Sequence, residues 1–235
     1  MKHYYVKTKG FTLAEVLVTL GIIGVVSAMT VPTLMQNYQK KSYVTQLHKV
    51  YNEFSQAALQ VVTDRNAVNL REAGINSEDT AAAFVQNYFK IVQDCGKDAD
   101  PCFPSYGEYR KISGTNFTRW LGKRHFVLAS GASIATYFRN DSDDLVMELW
   151  VDTNGKKGPN IAGRDFFVLY LYNNGIIDDL NSQRDDDENV TGYDNIPLSQ
   201  EIREQKFSRY CIAGGGNDYH GCFGKILNDN WEMTY

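Results

Sequence analysis

The stretch KGFTLAEVLVTLGIIGVVSAMTVP runs from Lys9 to Pro32 and decides how the rest of the chain is read. From Phe11 to Val31 its one ionisable side chain is Glu15. Twenty-one residues form a helix of roughly 31 Å, long enough to cross the hydrocarbon core of a bilayer. The preceding segment MKHYYVKTKG carries Lys2, Lys7 and Lys9 and no acid. Basic flanks stay cytoplasmic, so the N-terminus is expected inside and the remainder outside. No later segment reads as a second span. An ordinary secretory signal shares the basic start and the apolar run, and Val26-Ser27-Ala28 is a passable cleavage site. Against that reading stand the acid inside the run and a helix-compatible pattern that continues past Pro32.

Gly10-Phe11-Thr12-Leu13-Ala14-Glu15, followed by the apolar run, resembles the processing site of type IV prepilins and type II secretion pseudopilins. The resemblance covers residues 7–62. It implies cleavage after Gly10 by a membrane peptidase, methylation of the new Phe11 amine by the same enzyme, and a subunit that begins at Phe11. It also implies the partners: other pilin or pseudopilin subunits, the prepilin peptidase/methyltransferase, an inner-membrane assembly platform, and the membrane itself. The implied location is the bacterial inner membrane, single-pass with the head outside, and then a pilus or pseudopilus. Alternative readings are a minor or tip subunit whose head binds a ligand or surface, and a plain membrane-anchored binding protein.

A carboxylate in hydrocarbon is costly and usually has a partner. Among packed helices the nearest cation for Glu15 is the Phe11 amine of a neighbouring subunit, and methylation preserves that charge. Such a pair would set axial register, as buried polar groups do in coiled coils. Pro32 cannot donate to the carbonyl of Ala28, and Gly21 and Gly24 lower helix propensity. The resemblance implies that the segment between Gly24 and Pro32 unwinds during assembly, while Pro32 read alone predicts a kink.

Beyond Pro32 the spacing of Val44, Leu47, Tyr51, Phe54, Ala58 and Val61 predicts one apolar helical stripe. His48 falls off it and reads as a surface residue. The expected organisation is a leader over 1–10, a long helix over 11–62 with 11–31 in the membrane or filament core, and a pilin-like head over 63–235. In the head, Ser77-Glu78-Asp79 opens a second helix. Aromatic and β-branched runs at 125–129, 134–138, 145–151 and 166–172, with a short fifth at 176–177, predict antiparallel strands joined by tight turns, including one at 140–143. Ser199 to Tyr210 reads as a late helix. The fold class is therefore α+β: a long N-terminal helix packed on a small antiparallel sheet.

Net charge is −4, and removing the three leader lysines from 24 basic residues leaves 21 against 28 acids, net −7. The head shows no basic patch, which argues against nucleic acid as a partner. The run Arg184-Asp185-Asp186-Asp187-Glu188 reads as a solvated loop. Four cysteines allow three pairings, and proximity favours Cys95 with Cys102 and Cys211 with Cys222. Zinc, with His220 near Cys222, is the rival, but no CxxC spacing accompanies it. No catalytic constellation is visible: Ser130 and Ser133 form no nucleophile elbow, Gly214-Gly215-Gly216 lacks the residues of a phosphate loop, and His3, His48, His125 and His220 are scattered. The chain is not expected to be an enzyme.

Between the third and fourth long strands lies Asp152-Thr-Asn154-Gly-Lys-Lys-Gly-Pro-Asn160-Ile-Ala-Gly-Arg-Asp165. Asp152, Asn154, Asn160 and Asp165 offer hard oxygen donors on a tight loop, which suits Ca²⁺. The pattern departs from an EF-hand in its early glycine and missing glutamate. It resembles loops in some pseudopilin-like heads. The competing reading is a plain connection, with Asn154-Gly155 making the turn and Asp165 capping or pairing with Arg164.

Overall fold

A computed structural model describes residues 10–117, 122–140, 144–185, 187, 189–212 and 219–235. Lys2, Lys7, Lys9, His3, turn residues Asp141, Ser142 and Asp143, Asp186 and Glu188 of the acidic run, and Gly214–Gly216 lie outside the described residues. The chain divides into two compact units, one ending at Lys40 and one covering Lys41–Tyr235.

The first unit is helical. It holds the start of α1, Leu13–Asp64, which continues unbroken through Pro32. Leu17, Leu20, Ile22, Ile23, Met29 and Leu34 are all exposed. No apolar stripe can be distinguished from a polar face over 13–35, because nearly every position is apolar. That all-round pattern suits a lipid or helix-packed environment rather than a half-buried soluble helix. Among the described residues α1 is the one helix long and apolar enough to cross a membrane.

The second unit, from Lys41, is built on the striped part of α1. Val44, Leu47, Phe54, Ala58 and Val61 are buried as their spacing predicts, joined by Tyr43, Val50 and Ala57, while Tyr51 is half-buried. His48 corrects its surface reading: it is half-buried, with its ring stacked on Trp231 at a centroid distance of 3.9 Å and an interplanar angle of 13°. The C-terminal tail covers a position that lies off the stripe.

Six strands follow as an antiparallel meander in the order β1 (Ile91–Gly96), β2 (Arg124–Leu128), β3 (Ser133–Phe138), β4 (Leu145–Asp152), β5 (Phe166–Tyr172) and β6 (Ile177–Asp178). Together with α1 they make the α+β, pilin-like architecture. α2 (Glu78–Tyr88) starts in a reciprocal cap between Ser77 and Thr80. The Glu78 carboxylate accepts from the Phe138 backbone N–H at 2.8 Å, tying α2 to β3. Burial pushes that carboxyl above its ordinary range.

Side-chain alternation separates two cores. Phe126, Ile134, Leu149, Val151, Leu169 and Leu171 join α1, α2 and α4 (Cys222–Asn228) on one face. Trp150, Phe166, Val168, Tyr170 and Tyr172 join Phe103, Tyr109, Phe117 and Tyr219 on the other. β4 and β5 are buried at every position. This explains why LVMELWVD and FFVLYLY read as continuous apolar runs instead of alternating ones.

The structure adds elements to those expected. β1 has exposed polar residues at its centre, consistent with an edge strand, and so lacks an apolar signal. The described residues of the acidic run fall on a hairpin: Arg184 ends β7 (Ser182–Arg184), which pairs with β8 (Val190–Tyr193), and Asp185 and Asp187 are exposed between them. The late helix is α3 (Gln200–Lys206), capped by Ser199 and continuing as a π-helical turn over Phe207–Cys211. Cys95–Cys102 and Cys211–Cys222 are disulfide-bonded. Gly221 adopts φ +77°, and a Cβ there would meet the Lys206 backbone at 2.4 Å, so α4 can approach α3 only with glycine at this position.

Phe54 is fully buried and contacts Phe89 at a ring-centroid distance of 4.3 Å. Phe54→Ala is expected to cost about 3–5 kcal/mol of head stability, read by chemical denaturation followed by near-UV circular dichroism.

Candidate functional site

Two places in the chain carry candidate functional chemistry. At the start of α1, Thr12 acts as a cap that pattern reading had not assigned. Its hydroxyl accepts from the Glu15 N–H at 3.2 Å, and Glu15 Oε2 accepts from the Thr12 N–H and hydroxyl, both at 2.8 Å. Thr-x-x-Glu is a capping box, a signal available in Thr12-Leu13-Ala14-Glu15. Within a single chain, therefore, the Glu15 carboxylate satisfies the Thr12 N–H while the Thr12 hydroxyl satisfies the Glu15 N–H. Phe11 lies just before this cap and is highly exposed. Gly10 and Gly24 have nothing within 4 Å of the position a Cβ would take, so no contact inside the chain requires glycine at either place.

The second place is the connection between β4 and β5. Asp152 ends one strand, and Asp165 immediately precedes the next. Both are fully buried. Asp165 accepts from the backbone N–H groups of Asn160 at 2.8 Å and Ile161 at 2.7 Å. Asn160 sits at φ +58°, a conformation that asparagine tolerates better than most residues. Asp152 accepts from the Tyr109 hydroxyl at 2.6 Å and the Asn154 N–H at 3.3 Å. The Asn154 amide donates to Gly158 O at 3.2 Å and its side chain also contacts Asp165. These bonds bring Asp152, Asn154, Asn160 and Asp165 into one connected cluster.

Its electrostatics are unbalanced. Burial pushes the Asp152 carboxyl well above its ordinary range, and the nearby Asp165 charge pushes the same way. Burial also raises Asp165, against the lowering effect of its backbone donors. Among the described residues neither carboxylate has an ion-pair partner, and Arg164 does not pair with Asp165. The Oδ1 atoms of Asn154 and Asn160 are buried without hydrogen-bond partners. Two buried acids beside two unsatisfied amide oxygens form a donor set suited to a hard cation.

The rival zinc grouping does not form. Cys222 is bonded to Cys211, and His220 Nδ1 pairs with the Tyr170 hydroxyl at 2.5 Å. Among the described residues no three His, Cys, Asp or Glu side chains are grouped to hold a metal. Ser133 Oγ donates to Cys102 O at 2.5 Å, a structural bond between β3 and the disulfide loop. Tyr109 is the site residue that pattern reading missed. It is 43 residues from Asp152 in sequence, and no local signal connects them.

An exposed apolar N-terminal segment with a capped acid at its start, and an antiparallel sheet packed on the later part of α1, define a membrane-compatible α+β architecture. Residues 6–31 match the model of the prokaryotic N-terminal methylation motif. This is the prepilin-type cleavage and methylation segment of type IV pilins and pseudopilins, and its presence supports a pilin- or pseudopilin-like subunit. No curated protein and no solved structure matches the chain.

Tyr109→Phe removes the shorter of the two hydrogen bonds described for the buried Asp152 carboxylate. In chelator the variant is expected to lose about 1–3 kcal/mol, measured by thermal unfolding. A change within about 0.5 kcal/mol would show that this hydrogen bond is not needed to hold the loop.

Proposed function

We propose that the chain is a structural subunit of a type IV pilus or type II secretion pseudopilus. The supporting observation is the methylation motif at residues 6–31, lying on a helix whose apolar side chains are exposed. In this reading the prepilin peptidase/methyltransferase cuts after Gly10 and methylates Phe11. The mature helix stays in the inner membrane with the head outside, until the assembly platform transfers it to a filament of like subunits. Cutting before the apolar run retains the membrane helix, unlike ordinary signal cleavage. Glycine at position 10 lets a peptidase approach the backbone closely. Gly10→Val is expected to accumulate as a full-length precursor on gels of membrane fractions. Normal-sized mature protein from this variant would place the cut elsewhere.

Glu15 has two tasks here, and they separate by charge. In the lone subunit it closes the capping box with Thr12. In the filament its carboxylate pairs with the methylated amine of a neighbouring Phe11. Glutamine can still accept the cap hydrogen bond but carries no charge, whereas leucine loses both. Glu15→Gln is expected to be processed normally yet fail to incorporate into sheared filaments, as Glu15→Leu does. Incorporation of Glu15→Gln at the wild-type level would reduce Glu15 to a helix cap. Gly24 and Pro32 are read as the segment that loosens on assembly, where a proline already removes one helical hydrogen bond.

The β4–β5 loop is proposed to hold Ca²⁺ through Asp152, Asn154, Asn160 and Asp165. The two unpartnered amide oxygens support this reading. The ion would supply the positive charge that the buried acids lack and lock the loop against the sheet. Ligand binding confined to the folded state stabilises it by about 2.7 kcal/mol at a hundredfold excess over Kd. The detergent-solubilised chain is expected to melt higher in calcium than in chelator, and Asp152→Ala to abolish the difference. Identical melting in both conditions would leave the loop a plain connection.

A further inference from the structure

A cavity of about 540 Å³ opens beside the β7–β8 hairpin, lined by none of the β4–β5 loop residues. Its size falls in the range of small-ligand sites. Its wall is unusual in composition. Among the described residues, five asparagines and two aspartates line it, with two tyrosines and two aliphatic residues, and no lysine or arginine.

Several of these groups are available for binding. Tyr193 is 52 % exposed on the rim. Among the described residues its hydroxyl and the Asn195 amide make no hydrogen bond. Asn69 and Asn174 use their side-chain carbonyls to accept from the backbone of Glu72 and Ile176, which leaves their amide N–H₂ groups as donors. Asn181 is 2 % exposed on the cavity wall; its amide N donates to Asp194 O at 3.2 Å, and its Oδ1 has no partner. The wall is thus fixed by backbone contacts while retaining unspent polar capacity.

The charge pattern selects the ligand. Asp194 is neutralised by Lys206 at 3.3 Å and accepts from Gln183 at 2.7 Å, so it contributes an acceptor rather than a free charge. Among the described residues the wall presents no lysine or arginine to an anionic ligand. A neutral ligand rich in hydroxyls fits better. Each hydroxyl both donates and accepts, matching a wall that offers amide donors at Asn69 and Asn174 and an acceptor at Asn181. An exposed tyrosine ring offers a flat apolar face for the C–H side of a pyranose, with a polar tip at its edge. We propose that this cavity is a binding site for neutral saccharides, with Tyr193 as the stacking platform and Asn69, Asn174 and Asn195 as hydrogen-bonding groups. Such a site would give the head a recognition role that is independent of filament assembly.

The test is a glycan array probed with the detergent-solubilised full chain. It would carry neutral mono- and oligosaccharides of glucose, galactose, mannose and N-acetylglucosamine, alongside sialylated and sulfated ones. At least one neutral saccharide is expected to bind. Tyr193→Ala and Asn195→Ala are each expected to weaken that binding about tenfold without changing the melting temperature. Lys90→Ala, at a separate groove lined by Glu53 and Ser130, should leave binding unchanged. Absence of binding to any neutral saccharide, binding to anionic ones alone, or equal binding by wild type and both cavity variants would overturn the assignment.

Discussion

Leu47, Val50, Phe54 and Val61 of α1 are buried against a sheet whose central strands are themselves buried on both faces. The rest of the head depends on this contact. A two-sided sheet needs cover on each side, and α1 supplies much of one side while the segment from Cys95 to Phe117 supplies the other through Phe103, Tyr109 and Phe117. The Cys95–Cys102 disulfide closes a short loop in that second cover, and Ser133 fastens the loop to β3. The same helix has a different requirement before Lys40. Over 13–35 nearly all its side chains are apolar around the whole circumference, which suits hydrocarbon or neighbouring helices rather than one buried stripe.

The β4–β5 connection follows from the same two-sided burial. Because β4 is buried along its whole length, its last residue, Asp152, is buried too, and Asp165 returns to the core at the start of β5. Backbone N–H groups, a tyrosine hydroxyl and an asparagine satisfy part of each carboxylate's capacity. None of these supplies a compensating charge, and a buried acid in such surroundings either holds its proton or recruits a cation. A second acidic pair shows the alternative solution. Asp178 is met by both arms of the Arg203 guanidinium, and Asp179 by the backbone N–H groups of Gly221 and Gly224. Those contacts join α3 and α4 to the sheet edge with protein groups alone.

The features legible in sequence were local and periodic. The apolar run, Glu15, the stripe from Val44 to Val61 and the four aromatic strands each declare themselves within a few residues. β1 and β8 did not, because edge strands with exposed Gln93, Asp94 and Thr191 lack an apolar period. His48 was misplaced because its partner, Trp231, lies at the far end of the chain. The loop acids could be named from their spacing, but Tyr109 could not, since only the folded second cover brings it to Asp152. Thr12 is legible as a cap from its three-residue spacing to Glu15, a pattern that is entirely local.

The central claim is that the apolar helix begins the mature protein instead of being removed from it. Intact mass and N-terminal sequencing of the wild-type chain extracted from membranes address it directly. The account predicts a chain beginning at Phe11 and carrying one added methyl group on its amine. A chain beginning at Met29, as cleavage after Val26-Ser27-Ala28 would produce, would contradict it.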